Sequence, residues 1–172
     1  MRRHERKAAK AREQGLLRPL CVVLPPTRLE ESPLRERAED LLSAPGAVRV
    51  EPAALGYGPT SHLPARLRQT IAAGQAKRMP LPGEPRVLVA FDVRQYPLAR
   101  ALLALYPGSE LWYAGEEPPP RWRDLHEAAR AIATITFGPE PGEPARVLNR
   151  PLWERMEALG VESGRLGSER GA

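Results

Sequence analysis

Asp92 and Arg94 are the residues of this 172-residue chain whose types and spacing are best suited to chemistry. They follow an apolar run, 87–91, and Gln95 and Tyr96 come directly after them. A guanidinium offers paired donors to a phosphate or a carboxylate, and an aspartate can transfer a proton or accept a sugar hydroxyl. The stretch therefore predicts a ligand-binding loop after a buried strand. An alternative stays open, in which Asp92 and Arg94 only form a local ion pair.

Ligands of such sheets bind at the edge where the carboxyl ends of the parallel strands meet. Polar residues that follow the other predicted strands are therefore candidates as well. No catalytic residue can be assigned from the sequence. The predicted ligand-binding residues are Thr27, Arg28, Asp92, Arg94, Gln95, Tyr96 and Glu116.

Other chemistries find little support in the sequence. His4, His62 and His126 are scattered without the spacing of metal ligands, so we expect no metal site. No Walker sequence, no G-x-G-x-x-G and no nucleophile-elbow G-x-S-x-G occurs, so we expect no bound nucleotide cofactor. The single cysteine, Cys21, lies in an apolar run and is expected to be a core residue.

The segment 86–115 supplies the elements that must position the loop. It contains an apolar run, a helix-like stretch, a Pro107-Gly108 turn and a second apolar run, which predicts a strand, helix, strand unit. The first run is apolar at consecutive positions rather than alternate ones, as expected of a strand covered on both faces.

The rest of the chain repeats this alternation of strands and helices. We predict an α/β fold with a doubly wound, mostly parallel, five-stranded Rossmann-like sheet and helices on both faces. The predicted strands are 20–24, 47–50, 87–91, 111–114 and 133–137, with 80–85 as a proline-rich connector. The predicted helices are one with Ser32 as N-cap and Pro33 as first residue, then 63–79, 97–106, one from Arg121, and one from Pro151 ended by Gly160.

Apolar residues at helical spacing also predict which helix faces pack on the sheet. These residues are Leu63, Leu67 and Ile71 in the second helix and Trp122, Leu125, Ala129 and Ile132 in the fourth.

The net charge of +5 comes from the N-terminus, because residues 1–18 carry seven Lys and Arg against Glu5 and Glu13. We predict a basic disordered tail over 1–18, one Rossmann-like domain over 19–160 and a loose tail over 161–172. One hypothesis is therefore a non-enzymatic α/β interaction module whose tail binds nucleic acid or an acidic partner.

The apolar runs are too short for a membrane span, and we expect a cytoplasmic protein. The preference for Arg, Ala, Gly and Pro is typical of a GC-rich bacterial genome.

Three segments resemble the N-terminal Rossmann-like half of bacterial GT-B glycosyltransferases. They are VVLPPTRLEESPLRERAEDLL (22–42), VLVAFDVRQYPLARALLALYPGSELWY (87–113) and LHEAARAIATITF (125–137). The resemblance implies a domain that receives a sugar or glycolipid acceptor. In that family the sugar nucleotide is held chiefly by a second Rossmann domain, which this chain does not include. It also has Pro25-Pro26 where a glycine-rich turn often stands. The resemblance thus implies an isolated, truncated or split acceptor-side domain that is not catalytic alone. In the split case, another chain would supply the second Rossmann-like domain.

Overall fold

A computed structural model describes residues 17–26, 29–50 and 63–164. Its centre is a five-stranded parallel sheet with the order β2-β1-β3-β4-β5. The strands are β1 (Pro19–Leu24), β2 (Ala47–Arg49), β3 (Glu84–Ala90), β4 (Glu110–Tyr113) and β5 (Ile135–Thr136). This is one of the two common orders of doubly wound sheets, and the predicted fold class is confirmed.

Helices connect the strands. They are α1 (Arg35–Leu42), α2 (Ala65–Arg78), α3 (Tyr96–Leu105), α4 (Arg123–Ile132), α5 (Ala145–Leu148) and α6 (Arg150–Ala158). Single turns of 3-10 helix cover Leu29–Glu31, Val93–Gln95 and Pro120–Trp122.

Strand β3 is the middle of the sheet and of the core. Leu88 stands beside Val22 of β1 and Leu111 of β4, and its side chain is fully buried. Val87 and Val89 point to the opposite face of the sheet and are also fully buried. The consecutive apolar residues therefore indicated correctly that helices cover both faces of this strand.

The helices form two layers, one on each face of the sheet. Helices α2, α3 and α4 pack on the face that carries Leu88 and Leu111. Helices α1 and α6 pack on the opposite face, where Cys21, Val87 and Trp112 lie. Cys21 is buried, as predicted, and this burial raises the pKa of its thiol.

The start of α1 was predicted incorrectly. The helix begins at Arg35 rather than Pro33, and a 3-10 turn at Leu29–Glu31 occupies part of the predicted loop. The Ser32 hydroxyl accepts a hydrogen bond from the Leu34 backbone N–H at 3.2 Å. Ser32 therefore closes a turn just before the helix, and the N-cap residue is the buried Leu34.

Two predicted helix faces were wrong in part. In α2 the side chains of Leu67 and Ile71 are 50% and 45% exposed, whereas Ala72 and Ala76 are buried. The face of α2 that packs in the core carries small residues, which allows close approach to α3. In α4, Ile132 is exposed. Spacing predicted the helices correctly, but the larger residues did not identify the packed face of α2.

Strand β3 starts at Glu84 and so includes the end of the predicted connector. Pro85 stands beside Leu20 in the ladder, at a point where the register between β1 and β3 shifts. A proline has no N–H for the ladder and is tolerated where the pairing is irregular. The short helix α5 was not predicted either.

The C-terminal end of the described chain is fastened to the domain. Gly160, with φ +79°, ends α6 as predicted. Val161 is buried, and the carbonyl oxygen of Glu162 accepts a hydrogen bond from the Gly46 N–H at 2.8 Å.

Most of the basic tail, residues 1–16, and the segments 51–62 and 165–172 lie outside the described residues. The hypothesis about the tail therefore stays a prediction. In the ranges that the structure describes, no helix is long and apolar enough to cross a membrane.

Replacement of Leu88 by alanine should lower the free energy of unfolding by about 2–5 kcal/mol, because it removes packing at a fully buried position. The matched change Arg94→Ala, at a partly exposed loop residue, should cost less than about 1 kcal/mol. Urea unfolding of both variants measures the difference. Equal losses, or a Leu88 variant as stable as the parent, would contradict the central place of β3.

Candidate functional site

The carboxyl ends of β1 and β3 form the topological switch point of the sheet. The two strands are neighbours, but the chain leaves β1 toward α1 on one face and leaves β3 toward α3 on the other. In doubly wound proteins, connections that diverge in this way leave a crevice at the sheet edge, and ligands bind there. Asp92, Arg94 and Gln95, three of the predicted residues, follow β3 at this point.

Gln95 joins the ends of the two strands through its buried side-chain amide. Its Oε1 accepts hydrogen bonds from the backbone N–H groups of Phe91, at 3.1 Å, and Asp92, at 3.2 Å. Its Nε2 donates to the carbonyl oxygen of Pro25, just beyond β1. The side chain is 3% exposed. Gln95 thus holds the two loops together, and both polar atoms of its side chain are hydrogen-bonded to backbone groups.

Asp92 begins the turn that Gln95 completes. The Asp92 Oδ1 accepts from the backbone N–H of Arg94 at 2.9 Å and from its Nε at 3.1 Å. Together with the Gln95 side chain, which reaches back to the Asp92 N–H, this forms a capping box. The local ion pair is therefore present. The Arg94 side chain is still 36% exposed, so part of it reaches solvent.

Of the remaining predicted residues, the structure describes Tyr96 and Glu116, and it places neither beside the Asp92 and Arg94 side chains as an accessible polar group. Tyr96 is 4% exposed and starts α3 within the core. Glu116 is exposed and follows β4 rather than β3. Thr27 and Arg28 lie outside the described residues. Asp92 and Arg94 thus remain as the predicted polar residues that share one place and can reach solvent.

A tyrosine–histidine pair lies at the end of the neighbouring strand and was missed by sequence reasoning. Tyr113, the last residue of β4, has its hydroxyl 2.9 Å from Nδ1 of His126 on α4. The backbone at Gly115 passes over the tyrosine ring so closely that an added Cβ would lie 2.0 Å from the hydroxyl oxygen. This position therefore requires glycine. No local signal could find the pair, because 13 residues separate its members.

Burial and nearby charges keep this pair neutral. Burial of the Tyr113 ring raises the pKa of its hydroxyl, and the negative charge of Asp92 raises it further. Burial lowers the pKa of His126, and the positive charge of Arg130 adds to that effect. A neutral imidazole and a protonated phenol can exchange hydrogen-bond roles with hydroxyl groups. The pair and Asp92 are thus coupled electrostatically at one edge of the sheet.

A depression of about 340 Å³ lies beside Arg37, on the face of the sheet that carries α1. It is lined by Pro33, Glu36, Arg37, Pro139, Glu140, Pro141, Glu143, Ala145 and Leu148. The Arg37 guanidinium bonds Asn149 Oδ1 and the carbonyl oxygens of Gly138 and Leu148 at 2.8–3.1 Å. Burial lowers the pKa of Arg37, although Glu140 and Asp40 oppose this shift. The arginine is thus engaged in holding α1 to the C-terminal helices.

No group of three or more potential metal ligands occurs within the part of the chain that the structure describes. Comparisons of the chain with protein-family models, curated proteins and solved structures found no match.

His126 gives the domain a predicted pH dependence. Its pKa is lowered in the folded protein, so the unfolded chain binds more protons near the ordinary value of 6.5. Its contribution to stability is therefore present above pH 6.5 and is lost as the pH falls through the window below it. The unfolding free energy of the parent should fall more between about pH 7 and pH 5 than that of His126→Gln. Urea unfolding at several pH values tests this. Parallel pH curves for the two proteins would argue against it.

Proposed function

We propose that this chain is the acceptor-side domain of a GT-B-like glycosyltransferase and binds a sugar or the sugar part of a glycolipid. A second Rossmann-like domain, supplied by another chain, would hold the sugar nucleotide. The isolated domain is then a binding unit and not a complete enzyme. The proposal extends the resemblance of 22–42 and 87–113 to that family.

The observation that carries the proposal is the placement of Asp92 and Arg94 at the β1/β3 switch point. A carboxylate oxygen accepts from a sugar hydroxyl, and a guanidinium N–H donates to a hydroxyl oxygen. The bond from Arg94 Nε to Asp92 Oδ1, at 3.1 Å, holds the carboxylate and the guanidinium side by side, so that the two groups can contact neighbouring hydroxyls of one sugar ring. The capping box fixes both groups before a ligand arrives, which lowers the entropy cost of binding.

The sequence also supports an acceptor in preference to a nucleotide at this edge. The pyrophosphate of a nucleotide is commonly bound by a glycine-rich turn between a strand and a helix N-terminus. Here Pro25-Pro26 follows β1, and Asp92 with a 3-10 turn follows β3. Pro25 and Pro26 have no N–H to offer a phosphate.

Binding measurements on the full chain test the proposal. Saturation-transfer NMR with a panel of methyl glycosides should detect a sugar that binds, and Arg94→Gln should leave any binding of a uridine diphosphate sugar unchanged. Arg94→Gln should weaken the sugar about tenfold, because a hydrogen bond to a charged group is lost.

Arg100→Gln is the matched control, since Arg100 is an exposed arginine of α3 and the charge change is the same. It should leave sugar binding unchanged. Binding of the nucleotide sugar in place of every glycoside, or equal effects of the two arginine substitutions, would contradict an acceptor site at Arg94.

A further inference from the structure

Two arginines lie against one buried tryptophan on the α2/α3/α4 side of the sheet. The guanidinium carbon of Arg68, in the first turn of α2, is 4.7 Å from the centre of the Trp122 ring. That of Arg121 is 5.6 Å from the same ring. Trp122 itself is 3% exposed and belongs to the core. The indole therefore fixes one part of each cation, while the donors at the guanidinium edges remain to be used.

The partly buried side chain of Arg68 has a buried donor without a partner. Its Nε is buried and has no hydrogen-bond acceptor among the described residues. Within those residues, neither Arg68 nor Arg121 forms an ion pair with a carboxylate. A buried donor without an acceptor is costly, and two cations at one ring repel each other. An anion that accepts hydrogen bonds from both guanidinium groups would offset both costs.

The position of the pair in the fold also favours an anion. Helix α2 begins at Ala65, after β2, and its N-terminus carries the positive end of the helix dipole. Its N-cap residue, Pro64, provides no side-chain hydrogen bond to the first turn. Trp122 ends the 3-10 turn that leads from β4 into α4. Both elements therefore start at the carboxyl edge of the sheet, where ligands bind in this architecture.

We propose that Arg68 and Arg121, held by Trp122, form a binding site for a phosphoryl group of a small-molecule ligand. A guanidinium presents donors in a planar fork that matches phosphate oxygens. A terminal phosphoryl group has three oxygens and can accept from both forks at once, whereas the two oxygens of a carboxylate satisfy one fork. The site uses none of the residues assigned to sugar binding, so it stands independently of the proposed function.

NMR of the arginine Nε–H groups in the 15N-labelled full chain tests the site directly. The probes are inorganic phosphate and pyrophosphate, with acetate as the carboxylate probe. Titration with pyrophosphate should shift the Arg68 Nε–H resonance in a saturable way, and acetate should bind at least about tenfold more weakly. Arg68→Gln and Arg121→Gln should each weaken pyrophosphate about tenfold.

Arg66→Gln is the matched control, because Arg66 is an exposed residue of the same helix and the charge change is identical. It should leave the affinity within about twofold, because salt screens a solvent-exposed charge. Circular dichroism checks that each variant is folded, and the exposed position of Arg121 keeps the test valid if Arg68→Gln does not fold. Absence of saturable binding, equal losses in Arg66→Gln and Arg121→Gln, or tighter binding of acetate would overturn the proposal.

Discussion

The buried amide of Gln95 is the contact on which the candidate site depends. Parallel strands β1 and β3 bring two loops together that the chain then carries to opposite faces of the sheet. At this divergence the ladder ends with the bond from the Phe91 N–H to the Leu24 carbonyl oxygen, at 3.3 Å, and buried backbone groups beyond it need another partner. Gln95 supplies that partner with one acceptor and one donor group, for Phe91, Asp92 and Pro25. These hydrogen bonds fix the backbone of the loop that carries Asp92 and Arg94.

A second buried polar cluster fastens the opposite layer of the domain. Asn149 donates to the Arg37 carbonyl oxygen at 3.0 Å and to Asp40 Oδ2 at 2.9 Å, and the Trp153 indole donates to the same carboxylate at 3.2 Å. These bonds join α1 to α5 and α6 across more than 100 residues of sequence. The cluster around Asn149 thus holds the C-terminal helices against α1. The hydrogen bonds of Gln95 hold the loops at the edge where a ligand can bind.

The sequence predicted the features that depend on local patterns. Consecutive apolar residues identified β3, and the position after a buried strand selected Asp92 and Arg94. The sequence-based predictions failed where the structure depends on contacts between residues far apart in the chain. The spacing of Leu67 and Ile71 indicates a helix, but the smaller alanines of α2 fit against α3, so the large residues face outward. The contacts of His126 with Tyr113 and of Arg68 with Trp122 exist only because separate elements meet, and no spacing in the sequence encodes them.

The most direct test of this account compares Gln95→Met with Gln75→Met by urea unfolding. The two residues are at least partly buried, but Oε1 of Gln75 has no hydrogen-bond partner among the described residues. Replacement of Gln95 removes the partner of the Asp92 N–H and of the Pro25 carbonyl oxygen and leaves the Phe91 N–H with its Leu24 bond alone. This loss should lower the free energy of unfolding by about 3 kcal/mol. Replacement of Gln75 should change it by less than about 1 kcal/mol, because no hydrogen bond to its Oε1 is lost. A Gln95→Met variant within about 1 kcal/mol of the parent would contradict the claim that this amide holds the switch point together.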